Sequence, residues 1–216
     1  MKKLREILGF GRKGHKRTKA AAISEPFKLI SGRTVAEICG DFELQEEAKT
    51  HLGGQPAPHE FVNRLVRAKL YDDATRFLVY GLPKRQAVWW ACLCVRSVPV
   101  CYGDQVSAEA LRAAEVWVKQ PTDENHQAAL TAGNKHKFEM PTAPAGWTAM
   151  AAGFSAGTNQ ASEESTDVPS EQLTAHAASG AILLAATVQP DRAAEMYNGF
   201  LETGAQIAQG KKILSP

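Results

Sequence analysis

From residue 33 onward, apolar residues recur at helical spacing, and short polar or small-residue breaks divide them into segments. Thr34-Val-Ala-Glu37 has the form of a capping box, in which the threonine hydroxyl meets the N3 amide and the glutamate reaches back. The helical pattern runs in pieces to Leu52 and stops at "GGQPAP". Pro58 suits a first helical turn, with Phe61, Val62, Leu65 and Val66 following on one face. Asp72 or Asp73 is the expected cap of the next helix, which carries Ala74, Phe77 and Leu78 inward and stops at Gly81. Further along, Ser107 is placed to cap a helix through Leu111, Ala114, Trp117 and Val118, which Pro121 closes. Thr122 opens another through Ala128 and Leu130, ending near Gly133. Residues 144–152 read as a short alanine-rich helix. Two more are expected at 172–188 and from Pro190 to Gly210, the latter with Met196, Phe200, Leu201 and Ile207 inward.

Between Pro83 and Ser107 lies the longest apolar run, Ala87–Val95, "AVWWACLCV". Nine apolar residues fit a buried strand or a buried helix equally well. The helical caps on either side, Pro83 at a helix start and two alanines favour a helix. A helix apolar on every side has to be covered on every side, so this segment is expected at the centre of the fold. Trp89 and Trp90 then point about 100° apart and fill two different gaps between helices. With no alternation of strands and helices along the chain, a parallel sheet is not expected. The predicted fold class is all-α, a compact multi-helix bundle over residues 33–210. A basic arm, 1–32, is expected to be flexible; a polar loop at 153–171 and a tail at 211–216 complete the organisation.

At 216 residues and 44% hydrophobic, the chain can bury one sizeable core. Its formal net charge of +2 hides an asymmetry. Residues 1–20 hold eight basic residues against Glu6 alone, and the remainder holds 17 basic and 22 acidic ones. Such an arm suits an anionic partner, whether acidic protein, nucleic acid or lipid headgroups. The start of the chain has positive charge but no apolar h-region, unlike a secretory signal. No run reaches the ~18 apolar residues of a membrane span, and a cytoplasmic location is expected. Cys39, Cys92, Cys94 and Cys101 are too few and too unevenly spaced for a disulfide scaffold or a zinc site. They read as reduced structural thiols.

Two enzyme patterns match by letter only. "GFGRKG", Gly9–Gly14, satisfies G-x-G-x-x-G but lacks the preceding strand and following helix of a dinucleotide site. "GFSAG", Gly153–Gly157, satisfies G-x-S-x-G, with Asp167 and His176 downstream, so a serine hydrolase using Ser155 is an alternative. The segment before it is helical in pattern, whereas a nucleophile elbow needs a strand. The six histidines show no paired metal-ligand spacing. "NKHKFEMP", 134–141, reads as a small solvated basic loop. Neither metal nor cofactor is expected, and no catalytic residue is assigned.

"GLPKRQAVWWACLCVR", 81–96, resembles the signature LP-x-R-x-AVWWA of a bacterial family of unknown function. The matching positions are Leu82, Pro83, Arg85, Ala87, Val88, Trp89 and Trp90. "AEVWVKQPTDENHQAAL" is similar to a second family segment, carried by Pro121 and Asn125. "TAPAGWTAMAAGFSAG" is similar to a third, carried by Gly146 and Trp147, although Phe154 and Ala156 stand where the family has tryptophan and glycine. "LTAHAASGAILLAA" with "FLETGAQIAQG" resembles its last two helices. The resemblance implies the gene neighbourhoods of type VI secretion in Gram-negative bacteria. The expected role is a non-enzymatic cytoplasmic adaptor or chaperone for a secreted effector or its co-chaperone. Trp89, Trp90, Trp117, Trp147 and Phe154 are the candidate partner contacts. The alternative is nucleic-acid or membrane-surface binding through the basic arm.

Overall fold

The computed structural model describes residues 23–30, 32–136, 138–139, 142–155, 170–211 and 213. Among them are ten α-helices and no strand: α1 Val35–Cys39, α2 Glu46–Lys49, α3 Pro58–Ala68, α4 Tyr71–Gly81, α5 Lys84–Ser97, α6 Gln105–Lys119, α7 Asp123–Lys135, α8 Ala143–Gly153, α9 Ser170–Thr187 and α10 Ala193–Ala208. The bundle is all-α, as its periodicity predicts.

Two helices share the centre. α5 packs against α4, α6, α8, α9 and α10, and its residues 90–95 are all buried. The alanine-rich α8 packs against α5, α6, α7 and α9, with nine of its eleven residues buried. Small side chains let four neighbours approach α8 at once, which its composition hinted at and its short length obscured.

Several local expectations hold. The Thr34 hydroxyl accepts from the Glu37 amide at 3.2 Å while Glu37 accepts from the Thr34 amide at 2.6 Å. Pro58 opens α3, and Thr122 caps α7 by accepting from the Asn125 amide at 3.3 Å. Gly210, at φ +77°, ends α10 in a Schellman turn: its N–H meets the Ile207 carbonyl and the Lys211 N–H reaches the Gln206 carbonyl.

Others are corrected. Ser107 is not the cap of α6 but sits at N3, and Asp104 caps the helix by accepting from the Ser107 amide at 2.9 Å. Neither Asp72 nor Asp73 caps α4. Both lie in its first turn, Asp72 accepting from the Tyr197 hydroxyl and Asp73 buried against the Gln45 amide. Gly81 lies inside α4, small because Ile30 and Ile38 crowd it. Pro83 precedes α5 as its cap residue. On α7 the inward residues are His126, Ala129 and Gly133, with Ala128 exposed, and the helix runs past Gly133 to Lys135.

The arm boundary expected at residue 32 also moves. Ile23 exchanges two hydrogen bonds with the Asn63 side chain, Phe27 and Ile30 are buried, and Glu25 pairs with Lys211 at 2.9 Å. Residues 23–30 thus pack on the body, because Phe27 and Ile30 carry apolar area worth burying. Ile213 of the expected tail also packs on the core. The "GFGRKG" motif and the basic residues of 1–20 lie outside the described residues. No helix among those described is long and apolar enough to cross a membrane.

Candidate functional site

Most of the motif residues turn out to hold the bundle together. Arg85 donates from Nε to the Val118 carbonyl at 2.6 Å and from Nη2 to the Lys119 carbonyl at 3.3 Å, satisfying the end of α6. Asn125 Nδ2 donates to the Gln120 carbonyl at 2.8 Å across Pro121, so the same turn is fastened from both sides. Trp90 is fully buried, and its indole N–H donates to the Phe200 carbonyl at 2.9 Å. Leu82, Ala87 and Val88 are buried with it, and Trp117 is 6% exposed. Trp90 and Trp117 are therefore interior packing and not the partner contacts expected of them, since large apolar rings are most stable where helices can cover them.

The remaining aromatic candidates reach solvent. Trp89 and Phe154 are half-buried at separate places, on α5 and at the end of α8. Trp147, also half-buried, belongs to a group. Its ring meets Phe138 edge to face at 5.4 Å and His176 of α9 at 6.4 Å. Phe138 is 37% exposed, and among the described residues the indole N–H of Trp147 has no hydrogen-bond partner.

Beneath this group lies a polar cluster that the sequence pattern did not reveal. His136, expected in a solvated loop, is buried. The Phe138 N–H donates to His136 Nδ1 at 2.9 Å, so the neutral ring carries its proton on Nε2. Nε2 then donates to Ser107 Oγ at 2.9 Å, and that hydroxyl donates to Asp104 Oδ2 at 2.5 Å. Burial holds His136 below the usual histidine pKa, while Asp104 pulls the other way. Hydrogen bonds from the Ser107 side chain and amide hold Asp104 below the usual carboxylate range.

Aspartate, serine and histidine in one cluster look like hydrolase machinery, but the protons run the wrong way. A catalytic base must accept the serine proton, whereas here His136 gives its own to Ser107, which is 1% exposed. The cluster acts as a brace. It holds Phe138 at φ +54°, a left-handed backbone that a bulky residue rarely adopts. Gly146 completes it, since a Cβ there would sit 2.6 Å from the His136 ring. This explains the glycine of "PAGW": it admits the imidazole that orients Phe138 onto Trp147.

Ser155 comes just after Phe154, the C-cap of α8, with its hydroxyl donating to the Ala152 carbonyl. It stands at a helix end and not on a strand-to-helix elbow, and Gly157 and Asp167 lie outside the described residues. Burial pushes all four thiols up, Cys39 and Cys101 to about 12. No group of three or more histidine, cysteine, aspartate or glutamate side chains among the described residues could hold a metal ion.

The model of a family described as a family of unknown function, DUF6931, matches residues 61–208. The chain belongs to that family. The match runs from within α3 to the end of α10 and so includes the interior locks, the brace and Trp147. No curated protein and no solved structure matches the chain.

Proposed function

We propose that this DUF6931 member is a protein-binding adaptor or chaperone whose contact surface centres on Trp147 and Phe138. One observation carries the reading. A buried polar brace of Asp104, Ser107 and His136 holds a left-handed backbone at Phe138 and presents its ring at the surface, beside an indole whose N–H has no partner among the described residues. Tryptophan and phenylalanine at a rigid surface site are the usual anchors of protein interfaces, where large area and few rotors combine. The raised thiol pKa values and the outward direction of the His136 proton favour binding over nucleophilic chemistry. The similarity of "LPKRQAVWWA" to proteins of type VI secretion neighbourhoods suggests the partner's class, a secreted effector or its co-chaperone, met in the cytoplasm of a Gram-negative bacterium.

The test is affinity capture of the full chain from its native host, with Trp147→Ala alongside. A neighbouring gene product should co-purify in simple stoichiometry with the wild type and be lost with the variant, whose helical circular dichroism stays unchanged. Recovery of no specific protein by the wild type would overturn the proposal.

The charge of residues 1–20 favours a second reading, attachment to an anionic polymer or membrane surface. Deleting those residues should then abolish binding to DNA or anionic vesicles and its salt dependence. Unchanged binding eliminates it.

A further inference from the structure

Phe138 hangs between two anchored points. Downstream, the Glu139 carbonyl accepts from the Thr142 and Ala143 amides, both at 3.0 Å, and so belongs to the start of α8. Upstream, the N–H of Phe138 itself donates to His136 Nδ1 at 2.9 Å. That bond exists only while Nδ1 carries no proton, because an imidazolium donates from both nitrogens and accepts at neither. The left-handed backbone of Phe138, at φ +54°, is costly for a bulky residue and persists only where its surroundings over-determine it. The neutral imidazole is therefore one of the holds that keep the Phe138 ring 5.4 Å from Trp147.

A proton acts differently on the two sides of the imidazole. Nε2 meets Ser107 Oγ at 2.9 Å, and behind that hydroxyl lies the Asp104 carboxylate, the charge that α6 sets toward the ring. This side keeps its bond when the ring is charged and is strengthened by the carboxylate. From α8 comes the uncharged backbone of Gly146, so close that a Cβ there would lie 2.7 Å from Nδ1, which leaves the ring little room to turn Nδ1 elsewhere. On the ring's own segment, Lys135 and Glu139 are exposed, and α9 brings His176 to Trp147. Protonation thus leaves the α6 side in place and points two donors, Nδ1–H and the Phe138 N–H, at one another.

We propose that His136 is a proton-operated latch: neutral, it fixes the Phe138 ring on Trp147, and charged, it releases that ring. Burial keeps the latch neutral until the pH falls below the ordinary histidine value of 6.5, with Asp104 opposing that shift. One added charge then acts on a strained segment, the usual construction of a histidine switch. The latch is a property of the free chain. Its use, withdrawal of the aromatic surface from a partner in acid, rests on the adaptor reading.

Proton–nitrogen NMR of the full chain from pH 8 to pH 4 tests this. The Phe138 amide signal and the Trp147 indole N–H signal, the latter assigned by its absence from Trp147→Phe, should shift with the same midpoint as the His136 ring. Overhauser contacts between the Phe138 and Trp147 rings should be lost below that midpoint. In His136→Gln, whose side-chain oxygen can accept as Nδ1 does and takes up no proton, the shifts should vanish. In His176→Gln they should persist. Ring contacts that survive the His136 titration, or last until the chain unfolds in acid, would overturn the proposal. So would shifts retained in His136→Gln or lost in His176→Gln. Should His136→Gln fail to fold, the wild-type midpoints and ring contacts decide alone. Failure to capture a partner overturns the adaptor reading and leaves the latch standing, whereas persistent ring contacts do the reverse.

Discussion

Trp90 on α5 and Gly204 on α10 occupy one another's space: a Cβ on Gly204 would lie 2.5 Å from Cζ2 of the indole. The indole N–H meanwhile donates to the Phe200 carbonyl, 110 residues away in the chain. A helix from the C-terminal end is thereby keyed to the centre of the bundle by one large side chain and one missing one. Gly204→Ala should cost about 1–3 kcal/mol through overpacking, although alanine is the better helix former. Urea unfolding checks it, and an unchanged midpoint would show that the ring has room to move.

Asp73 should be a source of instability at neutral pH. It is fully buried, Oδ1 accepts from the Gln45 amide at 3.3 Å, and Oδ2 has no partner among the described residues. Burial raises its pKa. For an acid whose folded pKa lies above the unfolded one, the stabilising contribution is complete below the unfolded pKa and fades as pH rises through the folded pKa. Asp73→Asn keeps the acceptor and removes the charge. The variant should be more stable than wild type at pH 7, with the difference closing toward pH 4; thermal melts across that range measure it.

The opposite slope is expected of His136, whose pKa folding lowers. Between the ordinary histidine value, near 6.5, and its folded value, the unfolded chain binds the proton and the folded chain does not. Stability should therefore fall as pH drops through that window. Protonation would also place an N–H on Nδ1 against the Phe138 N–H. The pH slope of the urea midpoint should shrink in His136→Gln, and an unaltered slope would assign it to other groups.

Arg85 holds two carbonyls at the end of α6 from an exposed position, where solvent weakens each bond. Arg85→Ala should cost on the order of 1 kcal/mol. Lysine, a single point donor, should recover only part of it. Chemical denaturation of the three proteins side by side separates the cases.

The thiols should be slow to react. Cys92, Cys94 and Cys101 are buried, and burial raises the pKa of all four cysteines. Alkylation of the native chain at pH 8 should modify the half-buried Cys39 first and the others only on unfolding. Mass spectrometry of a timed reaction shows which thiols are modified. Rapid labelling of Cys92 or Cys94 would place α5 nearer the surface than its packing allows.

Helix positions were legible from the chain because periodicity and caps are local. Thr34 with Glu37, Pro58, Thr122 and Gly210 act within one or two turns, so the residues that make each signal are neighbours. The centrality of α5 was legible for a similar reason, since nine consecutive apolar residues have to be covered. Partner contacts were harder to read, because a tryptophan that seals a core and one that anchors an interface look alike in sequence. Trp90 and Trp117 went inside; Trp147 stayed at the surface.

What the sequence by itself determined was the helical class, the helix ends marked by Thr34, Pro58, Thr122 and Gly210, and the depth of the Ala87–Val95 segment, all consequences of local spacing and apolar content. Only the tertiary structure decided that Ser107, His136 and Asp104 meet, and that Gly204 makes room for Trp90. Each of those depends on which helix faces cross and how closely, a matter of long-range packing for which no periodicity along the chain carries a signal.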